Sequence, residues 1–257
     1  MNVICFGQQP CGFFPKRFLA AKISTAKKLR GQIGGRVVFF YHDSDADYRE
    51  TVTVMRDRAT GAEVRLNFTQ ENKIQKKHSP LYLKRVPKGW KQEILKQLPR
   101  FVDQSLINIF NSVNEPTAAD FCLAMYRKLG LLDGIEVVRS SDKAFRLAAL
   151  DLDKDYFADV DYQGEIVRAQ QIGGKLMLHE GGGKYIQLPN KTVEKWQKSA
   201  PRDSRFAWMQ SVIGCTHYIY GEGEKNYLDT KPFSDIKFID REKIDDADFA
   251  SIDYDVN

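Results

Sequence analysis

Chemistry-bearing residues gather first in Gly7-Gln8-Gln9-Pro10-Cys11-Gly12, followed closely by Lys16, Arg17 and Lys22. Two glycines let a backbone approach a ligand, paired amides supply donors and acceptors, and the cations complement phosphate or carboxylate. Gly7, Gln8, Gln9, Gly12, Lys16 and Lys22 are therefore expected to bind substrate or nucleotide; the alternative is a tight, well-capped turn. The loop is neither a Walker A nor a G-x-G-x-x-G sequence, so it predicts no P-loop chemistry, and a nucleotide is compatible with it without being specified. Cys11 has no identifiable histidine partner and reads as an inert thiol.

The next group is Tyr41-His42-Asp43-Ser44-Asp45-Ala46-Asp47-Tyr48-Arg49-Glu50. Such carboxylates can bind a cation, accept a substrate amine or act as general base, and Asp45, Asp47 and His42 are the catalytic candidates. Calcium spacing fails, because counting from Asp43 puts Tyr48 at the glycine position and Val54 at the closing glutamate. Turn formation and capping explain Asp43-Ser44-Asp45 equally well. Asp151-Leu152-Asp153-Lys154-Asp155 fails the same test and reads as surface loop. The last group is His217-Tyr218-Ile219-Tyr220-Gly221-Glu222-Gly223-Glu224, then Tyr227. Here Tyr218, Gly221, Gly223 and Glu224 are expected to close over a ligand, the alternative being a plain hairpin turn.

Elements that position these loops follow from apolar spacing. Asn2 to Phe6 and Val37 to Tyr41 read as buried strands, with a helix from Arg17 to about Gly31 between them, the pattern of a parallel βαβ unit. Thr51 to Met55 and Val64 to Phe68 alternate around Arg58-Ala59-Thr60-Gly61-Ala62 and predict a hairpin near the sheet edge. One helix is predicted over 91–113 and another over 117–129, with Pro116 in the latter's first turn. Ile135 to Val138 is a third core strand, and Asp142 caps a helix over 143–150. Short strands flank Gly173-Gly174 and Gly181-Gly182-Gly183, where His179 falls in a β-turn, and a helix is expected near 191–198. The fold class is α/β: Rossmann-like, a mainly parallel sheet with helices on both faces and additional β-hairpins. Residues 1–238 form one domain, and 239–257 an acidic tail.

In 257 residues, 42% of them hydrophobic, a sizeable core is expected and disorder throughout is excluded. The start MNVICFGQQP is unlike a secretory leader, and no stretch approaches the roughly 18 apolar residues of a membrane span. A soluble, cytoplasmic protein with no membrane partner is the expectation. Cys5, Cys11, Cys122 and Cys215 form no C-x-x-C pair, so reduced thiols and no structural metal are expected. Net charge is +5, divided between a basic run (Lys73, Lys76, Lys77, His78, Lys84, Arg85, Lys88, Lys91) and an acidic end (Asp240, Glu242, Asp245, Asp246, Asp248, Asp253, Asp255). These can attract each other if the fold brings them together. The basic run, His78 included, reads as an exposed solvated face; without a recognition motif, nucleic-acid binding through 73–91 is the weakest of the functions considered.

The three loops, in order, resemble the cysteine-adding ligase family of bacillithiol biosynthesis, which has a Rossmann-like core. Its G-Q-Q-P/A loop is similar to Gly7-Gln8-Gln9-Pro10 with Phe13, Phe14 and Lys22. Its E-D-H-D-F-x-E segment is similar to Ser44 through Glu50, and its Y-V-G-G-P-G-E-x-x-Y segment to Tyr218 through Glu224 with Tyr227. Leu129-Gly130-Leu131 through Phe145 resembles the family's intervening strand-helix unit. The pattern departs at Ser44 and at Ala46, which replaces the family's histidine, and at Tyr220 and Glu222. If that histidine moves a proton, His42 must substitute here. The resemblance implies a ligase-like enzyme for a small anionic or amino-acid-like substrate. The alternative is a non-catalytic small-ligand-binding or regulatory protein that kept the cleft.

Overall fold

The computed structural model describes residues 1–57, 60–69 and 72–253. Its elements are β1 (Val3–Gln8), α1 (Arg17–Ile33), β2 (Arg36–Tyr41), β3 (Thr53–Arg56), β4 (Glu63–Leu66), α2 (Lys73–His78), α3 (Trp90–Gln97), α4 (Gln104–Ser112) and α5 (Ala118–Lys128). There follow β5 (Ile135–Arg139), α6 (Lys143–Ala148), β6 (Phe157–Tyr162), β7 (Glu165–Ile172), β8 (Lys175–Gly181), β9 (Lys184–Gln187) and β10 (Lys198–Ser199). The chain closes with α7 (Arg205–Ile213), β11 (His217–Tyr220), α8 (Glu222–Lys225) and β12 (Lys237–Asp240).

Five parallel strands, in the order β12-β11-β1-β2-β5, form the central sheet. Successive residues of β1 and β2 point to opposite faces, and both faces are covered. Ile4, Phe6, Val37 and Phe39 pack with Leu19 and Ile23 of α1 and Phe121 of α5, while Cys5, Val38, Phe40 and Tyr218 pack with Phe145 of α6 and Trp208 of α7. This double burial explains why these strands read as continuous apolar runs. Strand order reverses between β1 and β11, which opens a crevice beyond their carboxyl ends. A second, antiparallel sheet has the order β10-β6-β7-β8-β9. Ala158, Val160, Val167 and Ala169 build its own core, and their alternates Asp159 and Arg168, which are register partners, face the other way.

Several expectations require correction. The helix predicted over 91–113 is two, because Pro99 holds Leu98 extended (ψ 133°) and Asp103 then caps α4. Thr117 caps α5 through Asp120 N–H, leaving Pro116 before the helix rather than in its first turn. Helix α1 runs through Gly31 and stops at Gly34, whose φ of 68° suits glycine. At 191–198 there is only a single turn, Lys195–Gln197, leading into β10. The β3–β4 hairpin is a separate two-stranded sheet, its Met55 and Leu66 buried in the core instead of extending the parallel sheet. Of its turn, Arg58 and Ala59 lie outside the described residues, as does Asp255 of the acidic run. Gly221-Glu222-Gly223-Glu224 is no hairpin turn: it enters the one-turn helix α8, and the chain returns as the parallel strand β12.

Among the described residues the two charge runs are engaged with other partners. The acidic segment begins within β12 and then folds along α1, where Lys28 pairs with Glu242 (2.5 Å) and Arg17 N–H donates to the Phe249 carbonyl (2.8 Å). Cations of the basic run are engaged elsewhere: Lys77 with Glu180 at 2.6 Å, Arg85 with Glu165 at 2.5 Å, and Lys91 with the Val113 carbonyl. His78, expected to be exposed, is buried and bonded to Glu180 at 2.8 Å. Among the described residues no helix is long and apolar enough to cross a membrane.

Lys84 is 1% exposed and donates to the Gln75 and Lys76 carbonyls at 2.9 and 2.7 Å. Burial outweighs the pull of Asp47 and Asp45 and pushes its pKa down to about 7. A neutral amine still supplies two N–H donors for those two carbonyls. From pH 7 to about 10 the unfolded lysine holds a proton that the folded one has lost. Stability should therefore rise over that window, by an amount on the order of several kcal/mol at about 1.4 kcal/mol per pKa unit. Urea denaturation at pH 7 and 9.5 checks this: Lys84→Met should flatten the rise, and an identical slope in both proteins would refute it.

Candidate functional site

At the carboxyl ends of β1, β2 and β11 lies a cavity of about 480 Å³, bounded by Gly7, Gln8, Gln9, His42, Gly221 and Glu224 among others. All three predicted loops thus share one cleft, at the reversal of strand order where α/β sheets bind ligands.

His42 follows β2, and its N–H donates to the Gln8 carbonyl at 2.9 Å, which fixes it against the end of β1. The side chain is buried, yet both ring nitrogens lack a protein hydrogen-bond partner. Burial, then Arg205 and Arg168, hold its pKa well below the usual histidine value. A neutral imidazole lining a cavity, with nothing already bound to it, has a free lone pair to accept a proton, although its depressed pKa makes it a weak base.

Asp45 is differently placed. Gln9 Nε2 donates to it at 3.1 Å, the N–H groups of Ala46 and Asp47 at 2.7 and 3.1 Å, and Arg168 and Arg205 lie at 3.6 and 3.5 Å. Burial pushes its carboxyl up, but the two arginines and His42 outweigh burial and hold it well below the carboxylate range. So tightly held a carboxylate positions arginines and is a poor base. Asp47 does not line the cavity: it caps the turn Tyr48–Thr51 and grips Arg49 at 2.6 Å. From this loop Glu50 lines the cavity, its pKa raised by burial.

Lys22 is also occupied. Its Nζ donates to the Gly7 carbonyl (2.8 Å) and Gln8 Oε1 (3.3 Å) and pairs with Glu224 at 2.5 Å. Glu224 in turn accepts from Tyr218 Oη at 3.0 Å and Gly221 N–H at 2.9 Å. These contacts tie the first loop to the third, which gives Lys22 and Glu224 a positioning role. Gly223 lines the mouth. Lys16 stands outside the lining, pairing with Asp248 at 3.8 Å.

Gly12 is behind the cavity wall. At φ 91° an added Cβ would meet Thr53 Oγ1 at 2.7 Å and the Phe14 carbonyl at 2.8 Å. Gly12→Ala is expected to cost about 1–3 kcal/mol through backbone strain and overpacking, read by chemical denaturation. Wild-type stability would show that the loop relaxes freely. Cys11 is fully buried beside Tyr126, and burial pushes its thiol pKa up, as befits an unreactive group. Among the described residues no group of three or more His, Cys, Asp or Glu is arranged for a metal ion.

The arginines escaped sequence reasoning. Arg202 precedes α7, Arg205 opens it, Arg241 follows β12, and all three line the cavity; Arg168 comes from β7 of the second sheet. Pro201-Arg202-Asp203-Ser204-Arg205 before the apolar Phe206, Trp208 and Met209 carries a helix-start signal that placed two of them. Nothing local to Arg168 announces that it reaches Asp45. The second sheet also supplies Asp159, which pairs with Arg146 of α6 at 2.7 Å.

Taken together, fold and site define an α/β protein with a partly apolar cleft, lined by both cationic and anionic side chains, at the carboxyl edge of a parallel sheet. No protein-family model matches the chain, and no curated protein matches it.

Proposed function

We propose that this chain is a ligase-like enzyme with a Rossmann-like core, acting on a small anionic or amino-acid-like substrate bound among the three loops. The unpartnered, neutral His42 at the cavity carries this reading: it would take the proton from an attacking amine or hydroxyl while Arg205 holds an anionic group beside it. Glu50, raised by burial, is a second group able to carry a proton there. The strand order, with its switch between β1 and β11, supports the Rossmann-like assignment. The resemblance to the bacillithiol cysteine-adding ligases rests on sequence pattern, and His42 supplies an imidazole where Ala46 has none.

Calorimetric titration with ATP, cysteine and glucosaminyl-malate, followed by mass spectrometry of the mixture, tests it. Binding followed by a condensed product is expected. Binding without turnover favours a binding or regulatory protein, a reading supported by the engagement of Asp45 and Lys22 within the protein itself.

A further inference from the structure

Around His42 three guanidinium groups share two carboxylates. Arg146, Arg168 and Arg205 are three cations, and the carboxylates they pair with are two, Asp45 and Asp159. Arg168 and Arg205 share Asp45 at 3.6 and 3.5 Å, both longer than a hydrogen bond. Donors remain unspent: Arg205 Nε, Arg168 Nε and Nη2, Ser204 Oγ and the His42 ring have no protein partner. Beside them begins the nine-residue helix α7, entered from the short turn Arg202–Ser204 that carries Asp203, and with no capping bond from Ser204. Arg205 and Phe206 of that turn line the cavity, as does His42 at 1% exposure. On the opposite wall Glu224 is matched by Lys22, and Glu50 feels the charges of both Lys16 and Arg205.

We propose that the substrate is an organic phosphate, its phosphoryl group seated between Arg205, the first turn of α7 and His42, and its carbon skeleton against Phe40, Phe206 and Met209. The proposal rests on reading the cleft as an active site. Arg205 shares Asp45 with Arg168, and the start of α7 adds roughly half a positive charge, so this side of the cleft favours an anion. A phosphate monoester carries about −1.5 to −2 near neutrality, against −1 for a carboxylate. Its three terminal oxygens can also accept from Arg205 Nε, the His42 ring and the start of α7 together, where a carboxylate has two oxygens for the three. Arg168, behind Asp45, holds that carboxylate partly away from Arg205 and so leaves Arg205 Nε for the ligand.

Calorimetry with inorganic phosphate, phenyl phosphate and benzoate, on wild type, Arg205→Gln and Arg205→Lys, decides it. Phenyl phosphate should bind more tightly than inorganic phosphate and than benzoate. Arg205→Gln should weaken phenyl phosphate roughly tenfold or more, with Arg205→Lys between the two, since loss of a charge-assisted bond has about that effect. Circular dichroism of each variant separates lost binding from lost folding. Benzoate binding as well as phenyl phosphate, or phenyl phosphate indifferent to Arg205→Gln, overturns the proposal. Phosphate binding through Arg205 with no His42-dependent turnover of any phosphate ester would instead remove the enzymatic reading and leave the subsite. Turnover of carboxylate substrates without phosphate binding would do the reverse.

Discussion

His42→Asn is expected to lower turnover by about a hundred- to ten-thousand-fold, the usual contribution of a positioned acid-base group, while leaving folding largely intact. The fold should tolerate the change because what anchors residue 42 is its backbone N–H on the Gln8 carbonyl, which asparagine retains. Its ring makes no hydrogen bond that the substitution would break. The pH profile supplies a second reading. Burial, Arg205 and Arg168 depress the folded-state pKa, so the neutral, proton-accepting form persists below the ordinary histidine value of about 6.5. Turnover should stay level on moving below pH 6.5 and fall only further into acid. Stability moves with a definite sign too. Below about pH 6.5 the unfolded imidazole takes up a proton that the folded one refuses, so stability declines as pH falls, and His42→Asn should lack that share of the decline. A variant that turns over at the wild-type rate would eliminate His42 as the base.

Arg146→Met should destabilise the protein by about 3–5 kcal/mol, lowering the thermal midpoint by roughly 10 °C. Arg146 is 2% exposed, and each of its guanidinium nitrogens is engaged. Nε donates to the Ser140 carbonyl (2.8 Å), Nη1 to Asp159 (2.7 Å) and the Trp196 carbonyl (3.0 Å), and Nη2 to Ser44 Oγ (2.8 Å). These bonds join the loops beyond β2 and β5 to β6 of the second sheet. Methionine matches much of the volume but strands the Asp159 carboxylate in a buried site with Tyr82 Oη, at 2.8 Å, as its remaining side-chain donor. Uncompensated charge is what makes breaking a buried pair costly. Adding Asp159→Asn to Arg146→Met should therefore recover part of the loss, a coupling that a double-mutant cycle in urea measures directly. An Arg146→Met protein within about 0.5 kcal/mol of wild type would show that the junction is redundant. The same junction positions Arg168, so any surviving Arg146→Met protein should also bind anions more weakly.

Much of the parallel sheet was legible because its strands and helices advertise themselves locally. Continuous apolar runs mark β1 and β2, Asp142 stands where α6 needs a cap, and Asn114-Glu115-Pro116 separates α4 from α5. Where prediction failed, a local signal was overruled or overlooked. Apolar spacing continued through 91–113, but Pro99 interrupts the backbone irrespective of spacing. The four-residue β12 is half-exposed at a sheet edge, and so weak a hydrophobic pattern is easily read as loop.

By itself the sequence determined that three loops rich in glycine, amides and acids follow apolar strands, and hence that a site belongs at the strand ends. This works because strand burial and the abrupt change to turn-forming residues are properties of neighbours along the chain. Tertiary structure alone decided which of those residues are free to act. Asp45, Asp47 and Lys22 look chemically similar to His42 as candidates until the partners that occupy them are seen: Arg168 and Arg205, Arg49, and Glu224. Asp45 and Arg168 stand more than a hundred residues apart, and a contact at that separation is set by how two sheets pack. The physical reason is that reactivity depends on desolvation and on through-space charge, and neither is written in local spacing.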